Sequence, residues 1–177
     1  NMVSKGLCKY PIAWAAKQAE GMVCDWFVCL TASGGSMRDD NGNWVFNNEN
    51  GVAGLKLMVD SIQNGNADPG SINYTDREVL NPFMAGDIPF VLNWAFAYAL
   101  ANDPAESTIA GNVGIGLIPS NSDGVVSSSV TGGGGFAIAS TSEHPDYAWK
   151  LIENVVSREA LFQSAELASN APPIKSM

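Results

Sequence analysis

Asn93, Trp94 and Phe96 stand at the far end of a short apolar run, Ile88 to Leu92, within the segment NPFMAGDIPFVLNWAFAYAL at 81–100. An apolar strand that ends in rings holds them rigidly at a surface. Flat rings held that way suit the flat apolar faces of a saccharide, and a neighbouring side-chain amide can read hydroxyl directions. Asn93 fits two roles, a bond to a ligand hydroxyl or a cap on its own turn. Asp25 and Trp26 lie together on an earlier helical pattern. Asp25 fits either an acceptor for hydroxyls or a place on a solvated helix face. Trp26 reads as a cleft ring with Phe27 as filler behind it. Tyr74 lies in a loop ahead of a capping motif and is a further cleft candidate. Gly133 and Gly134, inside the run Gly132–Gly135, permit a close backbone approach to a ligand; a plain hinge explains them equally well.

Signals for covalent chemistry are missing. The sequence has no G-x-S-x-G elbow, no Ser/His/Asp order and no phosphate-binding loop. Gly132–Gly135 has no following Lys–Ser/Thr. Asp39 and Asp40 sit beside Asn41–Gly42, where no apolar pocket would split their pKa values. His144 is the only histidine, and Cys8, Cys24 and Cys29 form no C-x-x-C pair. Neither a metal nor a cofactor is expected. Cys24 and Cys29 read as small core residues.

The elements that must position these residues follow from periodicity. Ile12, Ala16, Ala19, Val23, Phe27 and Leu30 predict a helix over Pro11 to Leu30, stopped by Gly34–Gly35. Arg38 to Phe46 predicts a hairpin turning at Asn41–Gly42. Asn47 or Asn48 caps a second helix with Val52, Leu55, Leu57, Met58 and Ile62 on its apolar side, closed at Asn64–Gly65. Thr75–Asp–Arg–Glu78 is a capping box, and Pro82 kinks or stops the short helix that follows. A strand over Ile88–Leu92 leads to a helix over Ala95–Ala101. Val113–Ile118 and Phe136–Ala139 predict strands, and Ser120–Ser129 a polar loop. Pro145–Val156 and a Ser157-capped segment to about Ala168 predict helices, with Tyr147, Leu151 and Val155 inward on the first. Asn170 to Ile174 reads as extended. Trp14 and Trp149 fit core or lobe packing, and Trp44 a structural place in the hairpin. Alternating strands and helices make the class α/β.

The composition narrows the partners. A net charge of −9 over 177 residues, with pI near 4.3, argues against nucleic acid and anionic membranes. Charged residues make up only 15 %, so the surface is rich in neutral hydrogen-bonding groups, which suits a neutral polyol. No apolar run reaches the roughly 18 residues that a membrane span needs. No charged and then apolar leader opens the chain, so a signal peptide is not expected within it.

Several segments, in order, resemble the bacterial solute-binding proteins that feed sugars to ABC transporters, most closely the maltose and trehalose type. Residues 83–96 resemble the family segment F-x-x-G-x-x-A-M-x-x-N-W-P-Y. Trp26–Phe27 ahead of Gly34–Gly35 is similar to its aromatic pair before G-G, and Asp40–Phe46 to its D-G-K-x-V-F hairpin. Val113–Pro119 is similar to V-G-V-A-x-L-P, and Gly132–Ile138 to G-G-W-x-x-x-I. Ser142, Tyr147–Trp149 and Ile152 are similar to S-K-x-x-x-E-A-W-x-F-I, and Asn170–Pro172 to a late G-x-x-P. Gly134 stands where many members carry a stacking Trp, so stacking is not expected at that position.

The resemblance implies one lobe of a type II periplasmic-binding-protein-like fold, with helices on a small mixed sheet. Residues 1–130 would be the second lobe, and 131–177 the return segment and following helices. It implies sugar or oligosaccharide recognition without catalysis, outside the cell, with lipoprotein anchoring of the longer protein. The implied partners are a small saccharide, an ABC transporter permease and the missing first lobe. The uncovered face of the Pro145 helix points to self-association. The alternatives from other classes are a fragment of a carbohydrate-active enzyme and a non-catalytic docking or adhesion domain.

Overall fold

The computed structural model describes residues 2–120 and 129–173. It divides into two compact units, one of Asn1–Trp94 with Ala101–Val130, the other of Ala95–Leu100 with Thr131–Met177.

The first unit is built on one parallel strand pair, β1 (Ile12–Ala13) and β2 (Phe90–Val91), in register Ile12 to Phe90 and Ala13 to Val91. Ile12 also forms a parallel bridge to Ala67. The sheet is therefore parallel, not mixed, among the described residues. Both of its faces are covered, as parallel strands require. On one side Trp14, Cys29, Met58 and Ala67 pack together with Ile12, Trp26 and Leu92 against them. On the other, Ala13, Val79 and Ile88 are joined by Tyr10, Tyr74 and Phe83. Four further elements surround the pair: α1 (Glu20–Ala32), α2 (Glu49–Gln63), a 3-10 turn (Pro69–Asn73) and the short α3 (Leu80–Met84).

The helix predicted over Pro11 to Leu30 is half right. Its first part is β1 and an extended connection, and α1 begins only at Glu20. The backbone donors of residues 14–17 are taken by distant acceptors, which a helix would have claimed for itself. Trp14 N–H donates to Ser71 Oγ and Ala15 N–H to Asp25 Oδ2. Ala16 N–H donates to the Ser71 carbonyl and Lys17 N–H to that of Tyr74. Tertiary bonding overrides the apolar spacing here.

The second helix starts as expected, with Asn48 Oδ1 accepting the Asn50 and Gly51 N–H groups, and ends ahead of Gly65 in the left-handed region at φ +72°. Its buried face matches the predicted apolar one only at Met58 and at Ile62, which packs against the core. Gly51, Gly54 and Met58 are buried, whereas Val52, Leu55 and Leu57 are exposed. The glycines let α2 lie directly on α1: a Cβ at Gly54 would sit 2.7 Å from Leu30 N. Close helix contact is set by small residues, which a search for apolar periodicity passes over.

The hairpin forms as predicted, with an Arg38–Trp44 bridge and Gly42 at φ +82°. The capping box closes reciprocally. Thr75 N–H donates to Glu78 Oε2 at 2.9 Å and Glu78 N–H to Thr75 Oγ1 at 3.3 Å. α3 stops two residues after Pro82. Only Phe90–Val91 of the predicted Ile88–Leu92 strand pairs. Neither Val113–Ile118 nor Phe136–Ala139 forms a strand; Leu117 is fully exposed and Phe136 largely so. A strand exists only by pairing, and these segments have no partner strand among the described residues. Most of the predicted Ser120–Ser129 loop, and Ile174, lie outside the described residues.

In the second unit, α4 (Phe96–Asn102) begins within Ala95–Leu100, and α5 (Pro145–Val155) and α6 (Arg158–Ala168) pack on each other. Ser157 caps α6 by accepting the Ala160 N–H. Neither α5 nor α6 carries a buried residue. Tyr147, Trp149 and Leu151 are exposed, which corrects the inward reading of the α5 face and the core reading of Trp149.

Candidate functional site

A shallow hollow in the first unit brings together three of the residues that the sequence marked, Asp25, Asn93 and Trp94, with Asp76 and Leu92 beside them. Its volume is about 40 Å³. On that measure one water needs about 10–15 Å³, so the hollow holds a few waters and is the floor of a site, not a complete enclosure for a sugar ring.

The floor is built by the chain leaving β2. Asn93 is committed at both ends of its amide. Its Nδ2 donates to the Asp76 carbonyl at 2.6 Å and its Oδ1 accepts the Trp94 N–H at 2.8 Å. Of the two roles that Asn93 fits, the structure supports the cap. The bond to Asp76 anchors the strand end to the capping-box turn, and the bond to Trp94 fixes the backbone that carries the half-buried ring. Asp76 enters the hollow from that turn. The Thr75–Glu78 spacing marks the turn, but nothing in it marks Asp76 as facing a ligand.

Asp25 is buried, at 6 % exposure, and not on a solvated helix face. It projects from α1 and accepts the Ala15 N–H at 2.9 Å. Burial pushes its carboxyl from the ordinary 3.8 up to about 7; the Ala15 bond opposes that rise and the negative charge of Asp76 adds to it. The Cys24 thiol, also at the hollow, is raised by burial and by Glu20, Asp25 and Asp76. No group of His, Cys, Asp and Glu side chains suited to a metal occurs among the described residues.

Two other predicted residues of the first unit, Trp26 and Tyr74, do not line this floor. Trp26 lines a separate, larger and mostly apolar hollow of about 280 Å³ with Val23, Phe46, Val52 and Leu55. Its ring N–H donates to the Gly51 carbonyl at 3.1 Å and its ring meets Phe46 edge-on. Tyr74 is held by its hydroxyl, which donates to Asp68 Oδ2 at 3.2 Å. Phe96, Gly133 and Gly134 belong to the second unit. Both glycines are exposed, and a Cβ on either would meet open space. Packing does not require glycine there. Trp14 is core, with its ring N–H donating to Ser61 Oγ. Trp44 is exposed under the Arg38 guanidinium, 3.9 Å from the ring centroid.

Residues 8–161 match the family of bacterial extracellular solute-binding proteins. The chain belongs to that family. A probable ABC transporter-binding protein of Deinococcus radiodurans is 30 % identical over 163 residues, which is 91 % of this chain and 38 % of that protein. Maltose-bound MalE3 of T. maritima superposes with a TM-score of 0.86 at 29 % identity, over 99 % of this chain and 44 % of that one. An ABC transporter solute-binding protein of Agrobacterium radiobacter K84, in complex with ribitol, gives a TM-score of 0.78 at 25 % identity, over 93 % and 42 %. This solute-binding chain therefore has the α/β type II periplasmic-binding-protein-like fold, and it spans less than half the length of these relatives.

Proposed function

We propose that this chain is one lobe of an extracellular binding protein that captures a saccharide or polyol and hands it to an ABC transporter permease. The observation that carries the reading is the rigid mounting of Trp94 beside Asp25 and Asn93 in one hollow of a solute-binding chain. The ring offers a flat apolar face, and carboxyl and backbone groups around it offer hydrogen bonds to hydroxyls. The likeness to a maltose-bound and a ribitol-bound protein supports a neutral polyhydroxy ligand. Recognition is the whole of its chemistry. The opposing half of the site belongs to a first lobe that closes over the ligand, and the longer protein, extracellular or periplasmic, is anchored to a membrane as a lipoprotein.

The reading is tested by titrating maltose and ribitol into the 177-residue chain while following the Trp94 indole by NMR. A micromolar site is worth about 8 kcal/mol; half of that leaves a millimolar one. Saturable shifts in the millimolar range, confined to the hollow, are expected. Absence of shifts for both compounds sinks the site assignment, and turnover of a chromogenic glycoside sinks the non-catalytic reading.

A further inference from the structure

We propose that Asp25 is a proton-controlled positioning residue of the ligand hollow, so that a neutral polyol bound over it takes up a proton with it. The inference rests on the proposed ligand site. Its basis is geometric. One carboxylate oxygen of Asp25 holds the Ala15 N–H, and through it the connection between β1 and α1. The same side chain lines the hollow beside Trp94, opposite the turn that brings in Asp76.

The groups around it are few. On its own helix the titratable groups are Glu20, Cys24 and Cys29; both thiols are raised by burial and by Asp25, and that of Cys24 also by Glu20. From the capping-box turn comes Asp76, whose charge raises Asp25. The strand end supplies Leu92, Asn93 and Trp94, and residues Ser129 and Val130 complete the rim; none of these titrates near neutrality. Two cations lie at the turn: Lys17, 3.5 Å from the Glu78 carboxylate, and the exposed Arg77 within it. Neither is among the described residues that line the hollow, so neither sits there to offset a second negative charge beside Asp76.

In the free protein the open side of the hollow gives an ionised Asp25 partial access to water. A neutral ligand seated on the floor displaces that water and brings no positive charge. Covering the carboxylate then favours its neutral form, and ligand and proton bind together. The neutral carboxyl keeps an oxygen for the Ala15 N–H and gains an O–H to donate to a ligand hydroxyl. Burial already places the carboxyl near pH 7, so the coupling operates at ordinary pH. By reciprocity the ligand must raise the pH at which Asp25 titrates.

The test uses the whole chain, with maltose and ribitol as probes. The Ala15 amide shift reports Asp25 and the Trp94 indole shift reports binding. Without ligand, the Ala15 amide is expected to titrate near neutrality. Saturating ligand moves that midpoint upward, and affinity weakens by at most about tenfold per pH unit between the free and the bound midpoints, the limit for one coupled proton. Asp25→Asn is expected to bind with no pH dependence over the same range. Should that variant not fold, Asp76→Asn serves, with the Ala15 midpoint moved to lower pH. Binding that is equally tight across the range, with the Ala15 amide still titrating, overturns the coupling and leaves the site standing. Failure of both probes to bind at any pH overturns the site as well.

Discussion

Asn93 and Asp76 are joined by a 2.6 Å bond from a side-chain amide to a main-chain carbonyl, across 17 residues of sequence. The bond ties the exit of β2 to the capping-box turn. Asn93→Ala removes it together with the bond to Trp94 N–H, and is expected to cost about 1–3 kcal/mol of stability. Chemical denaturation measures the loss. Unchanged stability would mean that water replaces both bonds.

Trp94→Ala separates a ligand ring from a core ring. As a ligand ring it loses about 2–4 kcal/mol of binding, the range of aromatic hot spots, with a near-normal melt. As core it loses about 3–5 kcal/mol of stability, and the remaining folded protein binds as before. Its half-buried state supports the first outcome. A thermal melt and a ligand titration on one sample decide.

Asp25 gives stability an unusual pH slope. Its carboxyl titrates near 3.8 in the unfolded chain and at about 7 in the folded one. Between these values the folded state holds the extra proton, so its stability is fullest below pH 3.8 and falls as pH rises to about 7. The span corresponds to an upper bound on the order of 4 kcal/mol. Asp39 and Glu78, both lowered by hydrogen bonds, act in the opposite sense at lower pH. Denaturation midpoints from pH 4 to pH 8, on wild type and Asp25→Asn, check the slope. The variant should be flat across the upper part of that range.

Gly54→Ala is expected to destabilise by about 1–3 kcal/mol through overpacking, because the new methyl meets the Leu30 backbone. Gly133→Ala and Gly134→Ala, which face open space, should leave the melt within about 0.5 kcal/mol of wild type. Thermal melts of the three variants compare them directly.

Local signals were legible where the physics is local. The Asn48 cap, the Thr75–Glu78 box, the Asn41–Gly42 turn and the Ser157 cap each depend on residues within a few positions. What could not be read depends on distant partners. Ala15 and Lys17 leave the helical pattern because Asp25 and Tyr74 take their N–H groups. Val113–Ile118 has strand composition and pairs with no strand among the described residues. Of the residues that line the hollow, Trp94 and Asn93 were visible by type and place. The burial of Asp25 was not, since charge and spacing alone put it on water as readily as in a hollow. Trp26 lines a different hollow from Asp25 because sequence neighbours on a helix point about 100° apart.

The strand pair β1–β2 joins Ile12 to Phe90. During synthesis the first strand therefore leaves the ribosome about eighty residues before its hydrogen-bonding partner exists. At about 5–20 residues per second, Ile12 and Ala13 spend several seconds with a bare edge. In that interval α1 and α2, joined by local connections, can already form their glycine seam and shield one face of the waiting strand. The early helical pair would act as an intramolecular guard for a segment that matures late, and its loss should be felt in yield of soluble protein before it is felt in the finished fold.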